Sequence, residues 1–150
     1  MRKTKLFVIV GIIGACAAIF WGMHQFADNE IKIVQSKHQN GVDKEVWHYK
    51  QSILGKKKKI KEVTYFSDGS KESEREIKKG LVNGWARMWY KSGQLQLEGT
   101  YKNSKPHGVR TEYHENGQEF CRAKYVHGKL IEKENWDENG NEIYLPLDRD

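Results

Sequence analysis

Six histidines, two cysteines and a run of lysines are the side chains of this 150-residue chain with the most chemistry to offer. Metal ligation needs histidine or cysteine donors at short recurrent spacings, or two histidines one helical turn apart. His24, His38, His48, His107, His114 and His127 form no such set, and His107 takes the turn position that Asn83 fills one repeat earlier. Cys16 lies in an apolar stretch and Cys121 in a polar one, so no bridge and no paired-cysteine motif is expected. Cys121 reads as a small buried apolar residue. Glu98, Glu112 and Glu119 fall at outward strand positions, with no burial to perturb them. There is no nucleophile elbow, phosphate loop or serine–histidine constellation. The chain is therefore expected to be no enzyme, with no catalytic residue, no metal, no cofactor and no small-molecule substrate.

The lysines offer electrostatics instead. Lys56, Lys57, Lys58 and Lys59, with Lys61 close behind, form the densest charge run. One reading is a solvated loop or a charged edge that blocks sheet-to-sheet aggregation. The other is contact with anionic lipid headgroups, where each lysine contributes about 1 kcal/mol. The net charge is +6, unevenly spread: Lys44 to Tyr65 holds seven basic and two acidic residues, and Glu115 to Asp150 holds five basic and nine acidic. A nucleic-acid binder carries a basic stripe along its whole working face. No nucleic-acid partner is expected.

The elements that must position these groups are legible from a repeat. Tyr65-Phe-Ser-Asp-Gly69 aligns with Trp89-Tyr-Lys-Ser-Gly93, Tyr113-His-Glu-Asn-Gly117 and Trp136-Asp-Glu-Asn-Gly140. The glycines thus recur with a period of about 24 residues, and the last interval is shorter by one. Ile77, Tyr101 and Tyr125 follow eight residues after their glycines, and Gly80, Ser104 and Gly128 three residues later. Asp68-Gly69, Asn116-Gly117 and Asn139-Gly140 are signals for two-residue hairpin turns, in which both central residues take positive φ. The flanks alternate with a period of two: Leu95, Leu97, Gly99 and Tyr101 share a face, and Cys121, Ala123 and Tyr125 share the matching one. Apolar residues make up 37% of the chain, with many in one N-terminal block, so the remainder is too polar for a thick core. The fold class expected is all-β: tandem hairpin repeats of about 24 residues stacked into one elongated antiparallel sheet, preceded by one N-terminal apolar helix.

The aromatic stripe of Tyr65, Trp85, Trp89, Tyr90, Tyr101, Tyr113, Tyr125 and Trp136 reads first as cross-strand packing, at about 0.2–1 kcal/mol per pair. The residues in phase with the repeat, Tyr65, Trp89, Tyr113 and Trp136, are structural on this reading, as are Gly69, Gly93, Gly117 and Gly140. Met88, Tyr90 and Phe120 are the candidate partner contacts. Trp89→Ala is expected to unfold the domain, and Tyr90→Ala to leave its melting temperature alone.

Three segments follow. Residues 1–23 begin with Arg2, Lys3 and Lys5, and an uncharged stretch then runs from Leu6 to Met23. Eighteen residues at a rise of about 1.5 Å just span a bilayer, which gives a signal anchor with the body outside. Ile13-Gly14-Ala15-Cys16 alternatively reads as a lipoprotein signal with Cys16 lipidated, and simple cleavage is a third option. Residues 24–60 read as a linker or degenerate first repeat, and residues 61–150 as the repeat domain.

The pattern of aromatic, three residues, Gly-Gln, then aromatic, two residues, Gly, then Asn-Gly resembles the MORN-variant repeat. Trp89 to Tyr113 and Gly80-Leu-Val-Asn-Gly-Trp85 carry the resemblance, which covers Tyr65 to Ile143. Ser104 departs from it where the family has glycine. The resemblance implies successive hairpins in a long twisted sheet, used as an interaction or scaffold module. Many bacterial proteins with this variant are described as YwqK-family antitoxins, which implies a protein partner, namely a toxin to be neutralised. A membrane-anchored protein of the bacterial cell envelope is expected, with its repeats on the extracytoplasmic side. The alternative is an envelope scaffold or an anionic-lipid-binding structural protein.

Overall fold

Alternating polar and apolar residues, broken by tight turns, leave each segment extended and able to pair only with what immediately precedes and follows it. The computed structural model describes residues 29–52 and 54–144. Nine strands follow in chain order: β1 (Asn29–Lys37), β2 (Asp43–Gln51), β3 (Lys57–Tyr65), β4 (Lys71–Lys78), β5 (Leu81–Trp89), β6 (Leu95–Lys102), β7 (Lys105–Tyr113), β8 (Glu119–Val126) and β9 (Lys129–Asn135). They form one open antiparallel sheet in which spatial order equals sequence order. No helix occurs among the described residues. The apolar stretch Leu6–Met23 and Cys16 lie outside them. β1, β2 and the first half of β3 fall within residues 24–60 and continue the same sheet.

The turn chemistry differs from the sequence expectation. Phe66 N–H donates to Ser70 O and Gly69 N–H donates to Phe66 O, and Gly69 has φ +89° while Asp68 is not among the positive-φ residues. That is a three-residue loop, a type I turn closed by one left-handed residue. The same two hydrogen bonds recur in the loops centred on Asn40, Leu54, Ser92, Asn116 and Asn139. The two-residue turns with both φ positive lie elsewhere, at Lys79-Gly80 (56° and 79°), Asn103-Ser104 (52° and 63°) and His127-Gly128 (51° and 86°). Ser104 holds this strained conformation because its N–H donates to Val82 O (2.8 Å) and its Oγ accepts from Val82 N–H (3.1 Å). Asn83-Gly84 and His107-Gly108 are not turns. They lie inside β5 and β7, where the register shifts. A Cβ on Gly84 would sit 1.9 Å from Glu76 Oε2, the oxygen that accepts from Trp85 N–H.

There is no second layer among the described residues. The buried apolar residues are Val46, Val63, Ile77, Leu97, Cys121 and Ala123, and no side chain falls below 2% exposure. Directly opposite residues share a face, so the register assigns the two surfaces. One carries Met88, Leu97, Glu112 and Cys121 in a row across β5 to β8. Beside that row Arg110 lies over Gly99, whose missing side chain leaves the room. The other face carries Val46, Val63, Glu74, Arg87, Glu98, Thr111, Arg122 and Glu134. From Glu74 onward charges of opposite sign stand opposite one another, interrupted once by Thr111. Each such pair stabilises the sheet by about 0.2–1 kcal/mol.

The glycine-centred loops are also tied sideways to one another. His38 Nε2–H donates to Tyr65 O (2.7 Å), Tyr90 Oη–H to Tyr113 O (2.8 Å), and His114 Nε2–H to Trp136 O (2.9 Å). Asn40 and Asn116 side-chain amides donate to Ser67 O and Glu138 O. The loop after β3 places Phe66 and Asp68 at these positions, and neither side chain donates. One hydrogen bond contributes about 1 kcal/mol, which for a domain of this size is about 4 °C in Tm. Tyr90→Phe is expected to lower Tm by that amount and Phe66→Tyr to raise it by adding the missing tie to Trp89 O. Thermal melts followed by circular dichroism check both, and an unchanged melt for Tyr90→Phe refutes the tie.

Candidate binding surface

The middle strand of nine is β5, and its alternation sends side chains to both open faces. Trp85 is 47% exposed on the face of the charge ladder, with the Arg87 guanidinium 5.4 Å from its ring centre. Met88 is 40% exposed on the opposite face, directly across from buried Leu97. Around it lies an open depression of about 330 Å³ lined by Met88, Leu97, Val82, Ala86, Tyr101 and Arg75, among others. By sequence Trp85 belongs to the packing stripe. The signal that separates it is the next repeat, where the equivalent position is Val109, also half-exposed.

The three candidate partner contacts are not brought together. Met88 stands on an open face. Tyr90 is half-buried with its hydroxyl bonded to Tyr113 O, a framework role that conflicts with the expectation that Tyr90→Ala leaves Tm alone. Phe120 packs edge-on against His114, with ring centres 5.1 Å apart, and its carbonyl accepts from Trp136 N–H. The in-phase aromatics Tyr65, Trp89, Tyr113 and Trp136 are all half-buried. Lys71 sits over Trp89 at 5.0 Å and Arg122 over Trp136 at 5.5 Å. Tyr113 Oη–H donates to Glu98 (3.3 Å), and burial together with the Glu98 charge holds its phenol above the ordinary value. Cys121 is 4% exposed, and burial raises its thiol likewise.

The lysine run divides in two. Lys59 pairs with Glu62 and covers the Trp47 ring at 3.5 Å, and Lys61 pairs with Glu74 at 3.3 Å. Both are structural. Lys56, Lys57 and Lys58 are exposed around an open depression of about 450 Å³ at the tip of the β2–β3 hairpin, with Lys50, Gln51 and Ser52. Since β3 is flanked by β2 and β4, the reading of these lysines as a sheet edge is corrected.

His48 is 4% exposed. Its Nδ1 is bonded to Glu30, a contact that keeps the Glu30 carboxyl below its ordinary range, and its Nε2 has no partner among the described residues. Among the described residues no three histidine, cysteine or carboxylate side chains gather as a metal site. No helix of the described residues is long and apolar enough to cross a membrane.

No family model matches the chain, and no curated protein matches it. A solved structure described as "Crystal Structure of TarM" aligns at 14% identity with a TM-score of 0.34. The alignment spans 77% of this chain and 23% of that one, so the chain covers under a quarter of that protein's length. A likeness at that level assigns neither fold nor function.

Glu62 and Glu74 supply a pH test. Burial pushes each carboxyl up, but Lys59 and Arg75 around Glu62, and Lys71 and Lys61 around Glu74, outweigh it and hold both below the ordinary value of 4.5. A depressed folded-state value means stability that is complete above 4.5 and lost as pH falls through the folded value. Tm is expected to hold from neutral pH to about 5 and to drop below 4.5. Glu62→Gln should lower Tm at neutral pH and flatten that drop. A parallel loss in both proteins would assign the acid sensitivity elsewhere.

Proposed function

We propose that this chain is a membrane-tethered, non-catalytic protein-binding module of the bacterial envelope, which neutralises a partner by covering its working surface. The observation that carries this reading is the central strand β5, which exposes Trp85 with Arg87 on one side and Met88 on the other. Tryptophan and arginine dominate binding hot spots, and hot spots cluster near the centre of an interface. The depressions described above are open to solvent, in contrast to the enclosed clefts that hold small substrates. The MORN-variant resemblance supports an antitoxin or immunity type of partner, and the apolar stretch Leu6–Met23 supports the tether. A second reading, an envelope scaffold that contacts anionic lipid, draws support from the exposed lysines of the β2–β3 tip.

The test is recovery of the full-length tagged protein from its native membrane, with mass spectrometry of whatever survives high salt. One dominant protein is expected. Trp85→Ala or Met88→Ala should cut its recovery about tenfold, a loss of about 1.4 kcal/mol of binding, while Tm stays within about 2 °C. Recovery of the protein alone would exchange this reading for the scaffold.

A further inference from the structure

The meander sends every second connection to the same long rim of the sheet, and the two rims differ in charge. On one rim, residues 51–57, 78–81, 102–105 and 126–129 join the strands and contain seven lysines and no acidic residue. On the other, residues 37–43, 65–71, 89–95, 113–119 and 136–142 contain three lysines and seven acidic residues. The lysines of the first rim are all exposed, and none of them has an ion-pair partner among the described residues. The basic density peaks at the β2–β3 tip, where Lys58 stands beside Lys56 and Lys57. Like charges crowded so repel one another, and an anion bound among them offsets that repulsion.

The register also fixes where the chain joins the sheet. Asn29, the first residue of β1, pairs with Gln51, and Gln51 pairs with Lys57. Two strand spacings, about 10 Å, therefore separate the start of the sheet from the middle of the lysine tip. Met23, the last residue of the uncharged stretch, precedes Asn29 by six residues, a reach of at most about 21 Å. One hairpin thus brings a lysine cluster from well along the chain to within two strands of Asn29.

We propose that the β2–β3 tip, through Lys56, Lys57 and Lys58, docks on the anionic phosphate headgroups of the membrane in which the N-terminal stretch is held. This rests on the tether reading above. Sheets twist by about 20–25° per strand, so the basic rim winds away from the bilayer with distance from β1. The contact is graded: full at Lys56–Lys58, weaker at Lys79, and absent at Lys105 and Lys129.

Lysine acetylation footprinting by mass spectrometry tests this on the full-length protein reconstituted into nanodiscs. One set of discs is phosphatidylcholine alone, and the other is two parts phosphatidylcholine to one part phosphatidylglycerol. In the anionic discs at low salt, reactivity of Lys56, Lys57 and Lys58 is expected to fall at least threefold. It should recover in about 0.5 M NaCl, where screening is nearly complete, and grade off through Lys79. Lys37, Lys71 and Lys91 on the acidic rim should stay unchanged. Equal reactivity in the two lipids overturns the proposal. So does equal protection in neutral discs on adding inorganic polyphosphate, which would assign the tip to a soluble polyanion. Flotation with vesicles separates this from the tether. Flotation with neutral vesicles supports the tether whichever way the footprint falls. Flotation with anionic vesicles only, stripped by salt, refutes the tether and leaves the lysine contact standing. Flotation with neither overturns both.

Discussion

The rest of this molecule follows from the lack of a second layer over the described strands. A sheet normally buries one face against something else, and here the described strands have only each other. Each is held by its neighbours, through backbone ladders and side chains directly opposite. Apolar burial among the described residues is confined to six side chains, and Lys59, Lys71 and Arg122 lie over the half-buried rings of Trp47, Trp89 and Trp136. The charge ladder from Glu74 to Glu134 is the polar counterpart of a core. The sheet's stability is thus a sum of nearest-neighbour terms, and its faces stay open to partners.

The alternation of loop type has the same origin. Glycine-centred three-residue loops sit on one rim with their side chains reaching sideways to the next loop. The tight two-residue turns sit on the other, with lysines around them, and they are tied by backbone instead: Ser104 N–H reaches Val82 O, and Gly128 N–H reaches Pro106 O. The β2–β3 connection is the exception, a glycine-centred loop on the lysine rim. It lengthens the first unit, so that Gly41 stands further from Gly69 than any later loop glycine stands from the next. That offset takes β1 and β2 out of the 24-residue period, which is why residues 24–60 read as a linker or a degenerate first repeat.

Much of the architecture was legible beforehand. The aromatic–glycine period located the hairpins from β3 to β9, and the alternation of Leu95, Leu97, Gly99 and Tyr101 assigned their face. The turn types were not legible, because an Asp-Gly or Asn-Gly pair serves either loop, and the number of residues between paired strands decides which forms. His107 and Asn83 looked like turn residues for the same reason, while a bulge holds them inside strands. Trp85 could not be told from its packing neighbours, because exposure depends on which residues stand opposite. The charge polarity seen along the chain was real, but the sharper polarity runs across it, and only the meander reveals that.

The repeat contains two strands, so each unit returns the chain to the rim from which it started. Duplicating or deleting a unit would therefore leave the lysine rim, the acidic rim and the corner near Asn29 where they are. It would change only how far the last strand stands from that corner, by about 10 Å for each unit. In such a molecule the number of repeats is a length setting, independent of attachment and of surface chemistry, and a lineage could adjust reach by copying a single stretch of DNA.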